Sequence, residues 1–241
     1  MSHNDSSKVT PVSGRQVITV DGVGASGKSA LARMLAERLG FAHLNSGLLY
    51  RAAAFIAERA KLPLTAGELL ATEVARHQLE LRHDPALGSV VVIDGVVREA
   101  ELMSRAISEG ASQVAKHQAV RNLFLAVQRT AFLPMGIVAE GRDMGTVVFP
   151  DASVKFFVDA RLEIRAMRRV EQLRAKGQEA DIQSVSAELA ARDERDATRA
   201  TAPMKPAAGA VIIDNSDTPL EETVERMLGV VRSCLGDACS A

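Results

Sequence analysis

Short β-branched runs that stop at an acid or a glycine alternate along this chain with stretches whose apolar residues recur every three or four positions. Residues 16–21 (QVITVD) are too apolar and too short for a surface helix and run straight into glycines, which predicts a buried strand. Similar runs end at Asp94-Gly95 (90–93), at Glu140-Gly141 (137–139), at Asp159 (154–158) and at Asp214 (211–213). Residues 29–39 place Leu31, Met34, Leu35 and Leu39 on one helical face, and Gly40 stands where a helix-ending glycine belongs. Helical patterns also cover 112–132, 162–176, 182–195 and 220–235. Strands alternating with helices predict an α/β fold, a parallel sheet flanked by helices.

The segment 63–110 breaks this rhythm. Runs 78–82 and 90–93, separated by His83-Asp84-Pro85 and Gly88, predict a hairpin, so the segment reads as a small insert. The core is then 16–62 and 111–235, and residues 1–15, rich in Ser, Asn, Asp, Pro and Gly, read as a flexible leader.

Composition narrows the partners. The chain has 241 residues, 47% apolar and 24% charged, enough for one compact domain with an insertion. With 29 basic against 30 acidic residues, no bulk charge draws it to nucleic acid or membrane. No apolar run approaches the ~18 residues of a bilayer span. Tyr50 is the only Tyr and there is no Trp, which argues against a base-stacking surface. Residues 1–16 are polar and lack a signal-peptide core. Cys234 and Cys239 form neither a disulfide framework nor a zinc pair and read as reduced thiols. A cytoplasmic monomer acting on small molecules is expected.

The strongest local signal is Gly22-Val23-Gly24-Ala25-Ser26-Gly27-Lys28-Ser29, a G-x-x-x-x-G-K-[ST] loop between a predicted strand and a predicted helix. Gly22, Gly24 and Gly27 let backbone N–H groups converge on a polyphosphate, and the helix that follows adds its positive end. Lys28 would reach the β- and γ-phosphates and the Ser29 hydroxyl would ligate Mg²⁺. ATPases, GTPase switches and small-molecule kinases all use such a loop, so it identifies a nucleoside triphosphate and nothing more.

Arginines refine the picture. Arg161, Arg165, Arg168 and Arg169 share one predicted helix face, as do Arg192, Arg195 and Arg199 on the next. Solvated ion pairs such as Glu188–Arg192 would explain them blandly; a lid that closes cations over phosphates would explain their alignment. Ser46 is a candidate helix N-cap, with Arg51 further along as either a surface arginine or a grip on a second phosphate. Glu140-Gly141-Arg142-Asp143 follows a strand, at the carboxyl edge where α/β sheets bind ligands.

Taken together, VDGVGASGKS (20–29), LNSGLLYR (44–51), SQVA (112–115), EGRDMGTVVFPDA (140–152) and ARDERDATRATAPM (191–204) resemble the bacterial cytidylate kinase (CMP kinase) family over roughly residues 17–231. The resemblance implies a P-loop nucleoside monophosphate kinase fold, with 63–110 as the monophosphate-binding insert and about 161–199 as a helical lid. It implies ATP at Gly22, Val23, Gly24, Ala25, Ser26, Gly27, Lys28, Ser29 and Ala30, with Arg165 and Arg168 closing on it. It implies that Ser46, Arg51, Arg142 and Arg192 hold the acceptor, mostly at its phosphate. Ser112, Arg121 and Asp143 would read cytosine, and Asp196 and Arg199 would contact sugar or base. Lys28, Arg142, Arg168 and Arg192 would form the catalytic set, with Mg²⁺ on Ser29. Asn45 stands where the family often has an aspartate.

The chemistry of the residues is compatible. Cytosine offers a donor at N4 and acceptors at N3 and O2, which suit a carboxylate beside an arginine; uracil inverts two of the three. The expected reaction is transfer of the ATP terminal phosphoryl group to CMP and dCMP. A kinase for another small acceptor, such as UMP or shikimate, is the nearest alternative. A nucleotide-dependent switch is a further one, although no guanine-reading N-K-x-D motif occurs. His3, His43, His77, His83 and His117 lack metal-ligand spacing and read as bystanders.

Overall fold

The β-branched run near the N-terminus becomes β1 (Val17–Gly22), the central strand of a five-stranded parallel sheet. The computed structural model describes residues 15–84, 88–175 and 177–235. The expected leader therefore lies outside the described residues apart from Arg15, whose guanidinium donates to the carbonyls of Arg129 and Met135, each at 3.0 Å. Cys239 also lies outside them, and Cys234 is exposed with a free thiol.

After β1 come α1 (Lys28–Leu39), β2 (Ala42–Asn45) and α2 (Gly47–Arg59). The insert region follows as α3 (Gly67–Val74), β3 (Leu79–Asp84), β4 (Gly88–Ile93), β5 (Val96–Val97), α4 (Glu99–Leu102) and α5 (Arg105–Val114). Then come α6 (Gln118–Thr130), β6 (Ile137–Gly141), a π-helical turn (Met144–Val148), β7 (Val154–Asp159), α7 (Leu162–Ala175), α8 (Ile182–Thr198), β8 (Val211–Asp214) and α9 (Leu220–Leu235). The large sheet runs β2-β6-β1-β7-β8; the small antiparallel one runs β3-β4-β5, which includes the expected hairpin.

Register sets the site. Asn45 and Val20 both pair with Glu140, and Gly22 pairs with Val158, so β1, β2, β6 and β7 end at one edge. Gly22 is required there: a Cβ on it would lie 2.0 Å from the Val158 carbonyl oxygen. Its absent side chain thus serves the β1–β7 contact.

Three local expectations are corrected. The apolar pattern 112–132 is two helices, α5 and α6, separated at Ala115–His117. His117 causes the break: it is extended and its Nε2 lies 2.7 Å from the Leu64 carbonyl oxygen, with Gly67 packed on the ring. Ser46 does not cap α2; its backbone is already helical and its hydroxyl donates to the Glu140 carbonyl at 2.7 Å. Asn45 takes over that role, its Oδ1 accepting from Gly47 N at 3.1 Å in an Asx-turn. Glu188 does not pair with Arg192; it pairs with Arg105 of α5.

Separate apolar clusters serve the large and the small sheet. Ile18, Val20, Leu31, Leu35, Phe156 and Met227 belong to the cluster between the large sheet and α1 and α9. A second cluster joins α2, α3, β4, α5 and α6 around Leu49, Ile56, Leu70, Ile107 and Phe124, and so links the small sheet to helices on either side of it in sequence. Phe124 is 2% exposed and meets Tyr50 edge-on, with ring centroids 5.3 Å apart. Phe124→Ala is expected to cost ~3–5 kcal/mol of stability in urea unfolding, the usual scale for emptying a buried aromatic site. A loss below ~1 kcal/mol would show that this cluster repacks freely.

Candidate active site

The carboxyl ends of the large sheet open into one cavity of about 810 Å³. Its walls carry Gly24, Ala25, Gly27, Lys28, Ser29 and Ala30 on one side and Ser112, Arg121, Asp143, Asp196 and Arg199 on the other. Ser46, Arg51, Arg142, Arg168 and Arg192 also line it. Gly22, Val23, Ser26 and Arg165 are not among the lining residues. Ser26 and Lys28 both donate to the Val23 carbonyl, each at 3.1 Å, and so bind the loop to itself.

Arg165 braces the loop from α7. It donates to the carbonyls of Ala160 at 2.8 Å and Gly24 at 3.1 Å, and pairs with Asp193. Asp193 in turn accepts from Gly24 N at 3.1 Å, so α8 is hydrogen-bonded to the phosphate loop. Arg168 donates to the Asn215 carbonyl at 2.8 Å. Arg161 pairs with Asp217 at 2.5 Å, away from its helix neighbours. The aligned arginines of α7 therefore have separate jobs.

The opposite wall is a buried ionic lattice. Asp196 accepts from Ser112 Oγ at 2.9 Å and from Arg142 Nε at 3.1 Å. Asp143 pairs with Arg121 and, at 3.4 Å, with Arg199. Arg51 and Arg192 each donate to the Ser108 hydroxyl at 3.3 Å. Behind them Asp21, at the end of β1, accepts from Met144 N and Gly145 N at 2.8 Å each, which fixes the turn carrying Arg142 and Asp143. Burial pushes Asp21 up to about 7.

Eight cations and four acids line the cavity. Burial, then the Arg142 charge, pushes Lys28 down to about 7. The same two causes bring Arg192 down to about 10. Arg51 is lowered by burial and by Arg169. Burial acts to raise Asp196, but Arg142, Arg192 and Arg199 outweigh it and hold its carboxyl below the ordinary range. These cations lack enough carboxylates, and a polyanion would complete them.

Several participants were not assigned from sequence. Glu140 Oε2 accepts from Ser29 Oγ at 2.6 Å, although only its strand-end position was legible. Asn215 Nδ2 donates to the Ser26 carbonyl at 2.7 Å and packs where a Cβ on Gly27 would stand. Arg169 joins the lining. His43, expected to be a bystander, is buried beside Glu140. Nothing in local pattern distinguished Asn215 or His43 from ordinary surface or core residues.

The family model for cytidylate kinase matches residues 18–233. The chain belongs to the cytidylate kinase family. A cytidylate kinase of Pseudomonas syringae pv. tomato is 43% identical over 216 residues, covering 89% of this chain and 94% of its own. One from Azotobacter vinelandii is 41% identical over 216 residues, with the same coverage. A crystal structure of an uncharacterized protein from Eubacterium ventriosum shares the fold, with a TM-score of 0.50 at 11% identity over 91% of this chain and 99% of the other. The α/β fold is that of the P-loop kinases, and the cytidylate kinase family places the chain among the transferases that phosphorylate nucleoside monophosphates. Among the described residues no helix is long and apolar enough to cross a membrane.

Asp196 holds two of the arginines in place, so its loss leaves buried cations unpaired. Asp196→Asn is expected to lower stability by ~3–5 kcal/mol in denaturant unfolding. Because its folded carboxyl sits below the unfolded value of 3.8, its contribution is present above that pH and fades as pH falls further. An Asn variant as stable as wild type at pH 7 would mean that Asp196 does not organise the lattice.

Proposed function

We propose that this enzyme transfers the γ-phosphoryl group of ATP to CMP and dCMP, giving CDP and dCDP. One observation carries the reading: the phosphate loop and the buried Arg121–Asp143 pair open into the same cavity, with a bridge of cations between them. The loop supports ATP through the backbone amides of residues 22–30, with Lys28 directed at the β- and γ-phosphates. Arg168 and the neighbouring Arg169 are placed to meet the same chain of phosphates. Arg51, Arg142 and Arg192 are grouped for the acceptor phosphate, and Ser46 lies beside them. Asp143 and Arg121 present a carboxylate and a guanidinium side by side, which complements the N4–H donor and the N3/O2 acceptors of cytosine. Ser112, Asp196 and Arg199 flank that edge and bear on sugar and base.

Phosphoryl transfer asks for alignment of two phosphates, neutralised charge and exclusion of water. Arg142 and Arg192 neutralise oxygens of both reactants, and the helices 161–199 serve as the lid that shuts out solvent. The segment 63–110 serves as the monophosphate-binding part, contributing Ser108 contacts to Arg51 and Arg192.

Magnesium fits the residues present. Ser29 Oγ and Glu140 Oε2 are hard oxygen donors 2.6 Å apart beside Lys28. Two protein oxygens suit an ion that completes its shell with phosphate oxygens and water. Burial acts to raise the Glu140 carboxyl, but His43, Lys28 and Ser29 together hold it below its ordinary range, so the oxygen is ionised at neutral pH. When bound, the ion would neutralise charge on the transferring phosphates. The reading includes a monomer working on small molecules in the cytoplasm.

An acceptor panel at saturating ATP tests the substrate. CMP and dCMP are expected to yield ADP and phosphorylated acceptor in equal amounts, well ahead of UMP and shikimate; preference for either of those would overturn the assignment. Asp143→Asn tests base reading. It replaces a charged acceptor by a mixed donor–acceptor amide, so kcat/KM for CMP is expected to fall by an amount equal to ~1.5–3 kcal/mol. The CMP:UMP preference is expected to narrow comparably. Equal weakening of both substrates would make Asp143 a brace for Arg121 and Arg199 rather than a reader of the base.

A further inference from the structure

His43 is an unusual residue for its place. It sits in β2 with only 5% of its surface exposed, opposite Val138 of the neighbouring strand. A buried imidazole carries two polar nitrogens, whereas a leucine there would fill the space without that cost. Neither nitrogen has an aligned hydrogen-bond partner among the described residues. On the Nδ1 side the chain passes at Gly88, where a Cβ would lie 2.7 Å from that nitrogen. Ser89, the next residue, donates to the His43 carbonyl and accepts from Asn45 N at 2.8 Å, so β4 fixes β2 along this stretch.

The other nitrogen faces the active site. His43 Nε2 lies 3.2 Å from Glu140 Oε1, while Oε2 of the same carboxylate accepts from Ser29 Oγ at 2.6 Å. Glu140 is therefore spanned between an imidazole behind it and the phosphate-loop hydroxyl in front. A glutamate has one more rotatable bond than an aspartate and needs more restraint to hold one oxygen on a fixed target.

We propose that His43 is a positioning residue of the phosphoryl-transfer site: through Nε2 it fixes the Glu140 carboxylate so that the other oxygen stays with Ser29, where a divalent cation would bind. This rests on the kinase reading for the identity of the cation site, not for the His43–Glu140 contact. The proton on the ring belongs at Nε2, since the carboxylate can only accept. Gly88 lies on the opposite side of the ring, where any side chain would collide with Nδ1.

The test compares wild type with His43→Leu, His43→Gln and His43→Asn. The Gln amide nitrogen reaches roughly the place of Nε2; the Asn amide is a bond shorter and does not. The main readout is Mn²⁺ affinity of the protein–ADP complex by electron paramagnetic resonance, with metal-free ADP affinity and melting temperature measured alongside. Loss of an outer-shell partner commonly weakens metal binding about 10–100-fold. His43→Leu and His43→Asn are expected to weaken Mn²⁺ by at least about tenfold, with metal-free ADP affinity unchanged, and His43→Gln to recover most of it. If Leu does not fold, the Asn–Gln pair alone carries the comparison. Equal Mn²⁺ affinity in all folded variants overturns the proposal, as does equal weakening by Asn and Gln, which would mark a packing role. A wild-type protein that makes no CDP yet shows this His43 dependence removes the kinase reading and leaves the positioning role standing.

Discussion

Like charges brought together inside a protein must be neutralised from outside or forced apart, and the cavity of this enzyme is built on that constraint. Eight cations face four acids there. Three of the four acids are already committed: Asp143 to Arg121 and Arg199, Asp196 to Arg142 and Ser112, Glu140 to Ser29. What remains is a group of cations, Lys28, Arg51 and Arg192 among them, whose charged forms are disfavoured by burial and by one another. Such a group stores unfavourable electrostatic energy that bound phosphates would release.

The scaffold makes this arrangement durable. Parallel strands end at one edge, so the phosphate loop after β1 and the Arg142–Asp143 turn after β6 arise side by side from a single register. Asp21 fixes the turn from below with two backbone hydrogen bonds, and Asn215 fixes the loop by donating to Ser26. From α7 and α8, Arg165 and Asp193 grip Gly24 on its carbonyl and its amide. The break between α5 and α6 matters for the same reason. It lets Ser112 and Arg121 reach one wall from two helix directions, with Arg121 also donating to the Ala115 carbonyl at the break.

What could be read from the sequence was local. The phosphate loop is contiguous, and its chemistry depends on residues whose spacing is fixed by the chain, so 22–30 was legible without a fold. The main strands were legible as short apolar runs that stop at an acid or a glycine, and α1, α7, α8 and α9 because each buries one face and solvates the other. The helix α2 was legible only at its start, near Ser46, since nine of its residues are buried and no polar face marks the period. β2 was missed because it is four residues long and carries a histidine and an asparagine. The break at Ala115–His117 depends on Leu64, fifty residues earlier in the chain, and periodicity runs across it undisturbed. His43, Asn215 and Asp193 act through partners far away in sequence, which no spacing rule reveals. That Ser112, Arg121 and Asp196 share one cavity was expected only through family resemblance, since their local pattern does not bring them together.

If crowded cations are the organising constraint, removing one should relieve the free protein and harm the reaction. Arg192 is the sharpest case, because Arg142 and burial oppose its charge while its side chain points into the cavity. The decisive measurement is melting temperature without substrates, together with kcat for ATP and CMP, in Arg192→Gln. The expected result is a free protein that melts no lower than wild type, with kcat reduced tenfold or more, equal to ~1.4 kcal/mol or more of transition-state stabilisation. A variant that melts clearly lower and keeps wild-type kcat would show instead that Arg192 supports the fold, and that the cation cluster does not drive transfer.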